Sequence, residues 1–164
     1  MSRPDGMLLL EPQDLQNLDQ VLRSFIAETN ARCALLMDRA GRLLTLAGES
    51  GGLDAIAFAS LAAADYAASD QLARVLGEDE CASLYHQGEN RSMFLTDIAG
   101  IAVLAAVFDD RTTLGLIRLK TRAVAPEFAA LIQDAAERKP RTEGILEGGW
   151  AAAAADEIDR LFGE

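Results

Sequence analysis

Leu15, Leu18, Leu22, Phe25 and Ile26 recur at helical spacing, so Gln13 to Asn30 reads as an amphipathic first helix. Two short apolar runs follow, "RCALLMD" from Arg32 and "RLLTLAG" ending at Gly48. A glycine-containing turn, "RAG", separates them and predicts a β-hairpin. "GESGG", Gly48 to Gly52, is a loop; it lacks the following Lys-Ser/Thr that a Walker-type phosphate cradle needs. Asp54 can cap a second helix and Gly77 can stop it. "GEDECASLYHQGE" is polar and irregular. Three strand-like runs then follow through tight turns: "SMFLTDI", "IAVLAAVF" after Ala99-Gly100, and "LGLIRLKT" after "DDRTT". Val124 to Lys139 reads as a third helix, with Phe128, Leu131, Ile132 and Ala135 on one face and Pro140 ending it. Helix, two strands, helix, three strands, helix is an α+β order, with a five-stranded antiparallel sheet.

The second helix is unusual in its side-chain sizes. Eight of the seventeen residues from Ala57 to Ala73 are alanine. At 100° per residue, Phe58, Leu61, Leu72, Val75 and Leu76 share one broad side, expected to cover a face of the sheet. Ser60, Ala64, Ala67 and Gln71 form a separate small-residue stripe, expected to be a contact surface for a helix or flat partner. Asp65 falls within the large apolar side, where an unpaired carboxylate is costly. It is expected to be hydrogen-bonded to its own domain's backbone or across a subunit interface.

The end of the chain differs in character. "RTEGILEGG" reads as a linker and "WAAAAADEIDRLFGE" as a short terminal helix. Residues 1–12 are thus an N-terminal extension, 13–139 the main domain, 140–149 a linker and 150–164 a C-terminal amphipathic helix. From Arg141 onward the net charge is −4, from two arginines against six carboxylates. Ile158, Leu161 and Phe162 make an i, i+3, i+4 apolar set on that acidic background. The pattern suits a groove-binding peptide or a helix folded back on its own domain.

Composition narrows the functional classes. The net charge of −11 argues against nucleic acid, whose affinity needs a basic face, and against anionic membrane surfaces. No apolar stretch is long enough to span a bilayer, and two cysteines, Cys33 and Cys81, fit a reducing cytoplasm. His86 is the only histidine, which removes multi-histidine metal sites and most catalytic triads. A Cys81/His86 pair is conceivable, yet nothing marks an orienting partner or an oxyanion pocket. Asp109-Asp110 imitates a carboxylate pair but reads as a hairpin tip. Arg91 and Arg111 are the loop arginines that an arginine-finger mechanism would use. No cofactor, no metal and no catalytic chemistry of its own are expected.

"ARCALLMDRAGRLLTLAG", "LASLAAADYAASDQLARVLGE" (aligned from Ala59), "HQGE", "VFDDRTTLGLIRLK" and the terminal "DEIDRLFGE" together resemble the roadblock / dynein light chain family. Within it they are similar to the bacterial gliding-motility proteins of the MglB type. The resemblance implies a roadblock fold, with helices on both faces of the sheet, and a cytoplasmic homodimer joined edge to edge with its second helices side by side. It implies a Ras-like small GTPase partner, MglA, whose hydrolysis the dimer accelerates by stabilising the GTPase's own catalytic residues, in polarity and motility. The alternative is a scaffold that binds a GTPase or another partner without changing turnover. The family's partner-facing positions carry over to Ala64, Ala68 and Gln71, while Leu61, Asp65 and Leu72 fall to the dimer contact or core. The C-terminal contact would be Ile158, Leu161 and Phe162. This chain has Ala63-Ala64-Asp65 where the family usually reads Ala-Gly-Asn. It also has Asp70-Gln71 where small residues often follow, which adds bulk and charge beside the expected contact.

Overall fold

The structure, a computed structural model, describes residues 8–138 and 160–161. Residues 1–7 of the expected extension, the linker and most of the terminal helix therefore lie outside the described residues, whereas Leu8 and Leu10 pack against the core and Pro12 already opens α1. Arg160 and Leu161 are helical. The elements are α1 (Pro12–Thr29), β1 (Cys33–Asp38), β2 (Leu43–Gly48), α2 (Ala55–Val75), β3 (Ser83–Gln87), β4 (Ser92–Ile98), β5 (Ala102–Phe108) and α3 (Leu114–Glu137).

One antiparallel sheet carries the fold in the order β2-β1-β5-β4-β3. Side chains alternate between its faces with period two. Ala34, Leu36, Phe94, Ala102, Leu104 and Ala106 enter one core with α1 and α3. Cys33, Leu35, Met37, Leu95, Val103 and Ala105 enter a second core under α2. The central strands β1 and β5 are covered on both faces, which is why they read as continuous apolar runs rather than as alternation.

Two expectations fail at opposite ends of the meander. "SLYHQ", placed in an irregular stretch, is the edge strand β3, paired with β4 from Ser83↔Thr96 to Gln87↔Ser92. "LGLIRLKT" is the first two turns of α3, not a strand. The Thr113 hydroxyl accepts the Leu116 N–H at 3.2 Å and caps the helix there. Asp109 and Asp110 accordingly lie in a strand-to-helix connection, not at a hairpin tip. α3 continues through Pro126, whose missing N–H leaves it no bond to the Arg122 carbonyl. Ile117, Thr121, Phe128, Ile132 and Ala135 are buried along its length, and that packing outweighs the lost bond. The strand count is unchanged because one strand is gained and one lost.

Candidate functional site

α2 lies on the sheet through its small face. Ala59, Ala62, Ala63, Tyr66 and Asp70 are buried. The approach is close: a Cβ at Gly41, in the β1–β2 turn at φ +90°, would lie 2.9 Å from the Ser60 Cα and 3.4 Å from the Ala63 Cβ. Glycine is needed there for its conformation and its size. Larger side chains on the inner face of α2 would lift the helix off the strands. The Asp54 carboxylate caps the helix by accepting the Ala57 N–H at 3.1 Å.

The large apolar side expected to cover the sheet points the other way. Leu61 is 71% exposed and Leu72 63%, with Ile56, Val75 and Leu76 more open still; Phe58 alone of that set is half-buried. Leu61 and Leu72 therefore do not belong to the core. Ala57, Leu61, Ala64, Ala68, Leu72 and Val75 recur at 4-3-4-4-3 spacing and make one outward stripe, with Ser60, Ala67 and Gln71 exposed along its margin. Full burial of a leucine or valine contributes about 1.5–3 kcal/mol. A stripe that forgoes this at several successive turns has the character of an interface.

The stripe is fastened to the neighbouring sheet edge. Asp65, half-buried, pairs with His86 of β3, Oδ2 to Nε2 2.6 Å. Its partner is a side chain of its own subunit and not the backbone. The Tyr66 hydroxyl donates to the Cys81 carbonyl. The Cys81 N–H donates to Asp70 Oδ1 at 2.8 Å, and Arg74 holds the other carboxylate oxygen at 3.1 Å. Asp70 is thus buried and bonded, so it adds no charge to the outward stripe, and Gln71 alone of that pair faces out. Burial, and after it the Asp97 carboxylate, pushes the Tyr66 phenol above its ordinary value of 10.0. The Arg39 guanidinium sits over the same ring, 5.2 Å from its centroid. Among the described residues β3 pairs only with β4, which leaves its outer edge open beside α2. Sequence reasoning missed this edge strand and its bonds to α2, because polar β3 carries no apolar run and the bonds are between residues distant in the chain.

Other candidates do not assemble into chemistry. The Cys81 thiol sits 3.4 Å from the Ser83 carbonyl, and burial pushes it above its ordinary value, away from the thiolate a nucleophile requires. His86 is engaged with Asp65 rather than with Cys81. Arg111 is tied to Asp109 at 3.3 Å and to Glu49 at 3.5 Å, and Arg32 shares both carboxylates, at 2.5 and 2.8 Å. An arginine so held is a structural cross-brace between the β2–α2 loop and the β5–α3 connection. Among the described residues no three His, Cys, Asp or Glu side chains gather to hold a metal ion, and no helix is long and apolar enough to cross a membrane.

The chain was compared with known proteins. No curated protein matches it at a significant level. Among solved structures, Myxococcus xanthus MglB superposes at a TM-score of 0.74 with 28% identity, over 81% of this chain and 100% of that one. The gliding protein MglB from Thermus thermophilus gives 0.73 and 28%, over 79% and 98%. An MglB described as having a tetrameric arrangement gives 0.75 and 30%, over 80% and 98%. The Roadblock/LC7 domain model matches residues 17–108, from α1 through β5, which is more than half of the sequence. With that match, the sheet order and the MglB likeness in agreement, the chain belongs to the Roadblock/LC7 family.

Proposed function

We propose that this protein is a homodimeric regulator of a bacterial Ras-like small GTPase of the MglA type. The observation that carries the reading is the outward apolar stripe of α2 beside the open edge of β3. A second copy related by a two-fold axis could cover both at once, pairing edge to edge and helix to helix. Leu61 and Leu72 are assigned to that contact, with Asp65 bracing it through His86. Ala64, Ala68 and Gln71 are assigned to the GTPase, where small side chains let a flat surface come near. Ile158, Leu161 and Phe162 are assigned to a second contact away from the nucleotide. The likeness to MglB proteins, one of them described as a gliding protein, supports a role in motility, and the GTPase partner rests on the family resemblance of the sequence.

The test is single-turnover GTP hydrolysis by the MglA-like GTPase of the same genome, with this protein in excess. A tenfold or greater stimulation, about 1.4 kcal/mol of barrier, is expected. Ala64→Arg with Ala68→Arg should abolish it; a dimer that persists keeps these two positions with the GTPase, whereas loss of the dimer as well would place them in the subunit contact between Leu61 and Leu72. GTP-dependent binding without stimulation would make the protein an adaptor, and no binding would discard the GTPase reading.

A further inference from the structure

On the face of the sheet opposite α2, α3 leaves part of β3 and β4 uncovered. The result is an open groove of about 660 Å³ lined by Phe94, Thr96, Arg118, Arg122, Ala125 and Pro126, among others. It contains two arginines and no carboxylate, in a chain whose net charge is −11. Most described arginines are paired with carboxylates, including Arg23, Arg32, Arg39, Arg42, Arg74, Arg111 and Arg138. Arg118 and Arg122 have no carboxylate partner among the described residues. The Arg118 guanidinium lies over the Phe94 ring, 5.8 Å from its centroid. An apolar floor under a cationic rim fits an amphipathic segment that is acidic on its polar side.

The same chain carries such a segment. The last 24 residues have a net charge of −4, and Asp156, Glu157 and Asp159 intersperse with Ile158, Leu161 and Phe162. Leu161 is helical and 73% exposed, so its apolar side chain is without a cover. We propose that the groove between α3 and the β3–β4 edge is the docking site for the chain's own segment 156–162, with Arg118 and Arg122 meeting its carboxylates and Ala125 and Pro126 its apolar side chains.

Chain length allows it. Twenty residues separate Glu137, the last of α3, from Ile158. Arg118 lies nineteen residues back along α3, about 29 Å at the helical rise. Read from the sequence as a linker and then a helix, residues 138–149 would span roughly 19 Å as a coil and residues 150–157 about 12 Å at the helical rise. Reach and distance match, the condition under which a tethered segment meets its site at about millimolar effective concentration. Docking here and contact with a partner use the same three apolar side chains and exclude one another. That consequence, unlike the docking itself, rests on the GTPase reading above.

The test uses the full-length chain without any GTPase, so its failure is separable from failure of that reading. Lys120 and Lys139 are the only natural lysines. Arg118→Lys with Arg122→Lys keeps the charge and makes the groove reactive toward zero-length carbodiimide coupling to carboxylates. Light and nitrogen-15 copies are mixed, allowed to exchange subunits, coupled and mapped by mass spectrometry. The expected result is links from positions 118 and 122 to Asp156, Glu157 or Asp159, within light or within heavy chains only. They should fall to background on Leu161→Asp. Light–heavy links would place the segment on a neighbouring copy and overturn docking within the chain. No links, with an unchanged circular dichroism spectrum, would overturn the proposal and leave the groove to an acidic segment of another protein.

Discussion

Both faces of α2 are largely apolar, yet the sheet receives Ala59, Ala62, Ala63 and Tyr66 while Leu61, Leu72 and Val75 stay outside with Ala64 and Ala68 between them. An amphipathic helix hides its hydrophobic face and shows its polar one. α2 shows nearly as much hydrophobic character outward as inward, so hydrophobicity does not decide its orientation. Distance of approach does. Ala59 and Ala62 are almost inaccessible, and at Gly41 a single extra carbon would collide with the helix backbone. Only small side chains fit where the helix passes that turn, at Ala59 and Ala63, and the one large inner residue, Tyr66, reaches instead to the Cys81 carbonyl. Leu61, Leu72 and Val75 are left outside, where unburied they make sense only against another surface. The inner face is a matter of folding and the outer face one of assembly, and substitutions should separate the two.

The largest effect is expected inside. Tyr66→Ala removes a ring that is 1% exposed, together with its bond to the Cys81 carbonyl, and should cost about 3–5 kcal/mol in urea unfolding. The same residue gives a pH test. Its phenol is held neutral, with the folded value above the ordinary 10.0. Its contribution is therefore complete below pH 10 and is lost as pH rises through the folded value. Spectrophotometric titration of the protein's two tyrosines should show Tyr66 ionising only as the protein unfolds. Early ionisation would place the inner face in contact with water.

Asp70→Ala leaves the part-buried Cys81 N–H without an acceptor and should cost about 1–3 kcal/mol. A negligible cost would mean that α2 and the start of β3 are not fastened there. On the outer face, Leu61→Asp with Leu72→Asp should leave the unfolding free energy of the isolated subunit within about 0.5 kcal/mol, as surface changes do. The same pair should weaken self-association at least tenfold, about 1.4 kcal/mol, by analytical ultracentrifugation. Unaltered association would move the dimer contact off this stripe. The smallest change belongs to the partly exposed pair: His86→Ala should cost under about 1 kcal/mol and leave GTPase stimulation as it was. A loss of stimulation without a loss of dimer would give His86 a direct part in the contact.

The misread elements have the same kind of cause. β3 is hidden in the sequence because an edge strand meets the core with few of its positions, and "SLYHQ" offers only Leu84 and Tyr85 to any apolar count. The start of α3 looks like a strand because Leu114, Leu116, Ile117 and Leu119 crowd together. Thr113 is the signal available, a cap residue directly before that run. The third helix, expected from Val124, therefore starts ten residues earlier, at Leu114, and Ile117 and Phe128 pack on either side of Pro126 within it. The candidate site is partly legible. Ala64, Ala68 and Gln71 are exposed as expected, while Leu61 and Leu72 are on the surface and Asp65 is paired with a residue twenty-one positions away.

By itself the sequence determined what repeats locally: α1, the β1–β2 hairpin, the Asp54 cap and the turn at Ala99-Gly100. These rest on periodicity, capping and turn chemistry among neighbours in the chain. Tertiary structure alone decided which face of α2 meets the sheet and which polar segment becomes its edge. It also decided that two arginines of α3 have no carboxylate partner among the described residues. Each depends on how closely elements far apart in sequence can approach, and side-chain volume sets that distance only once both surfaces are in place.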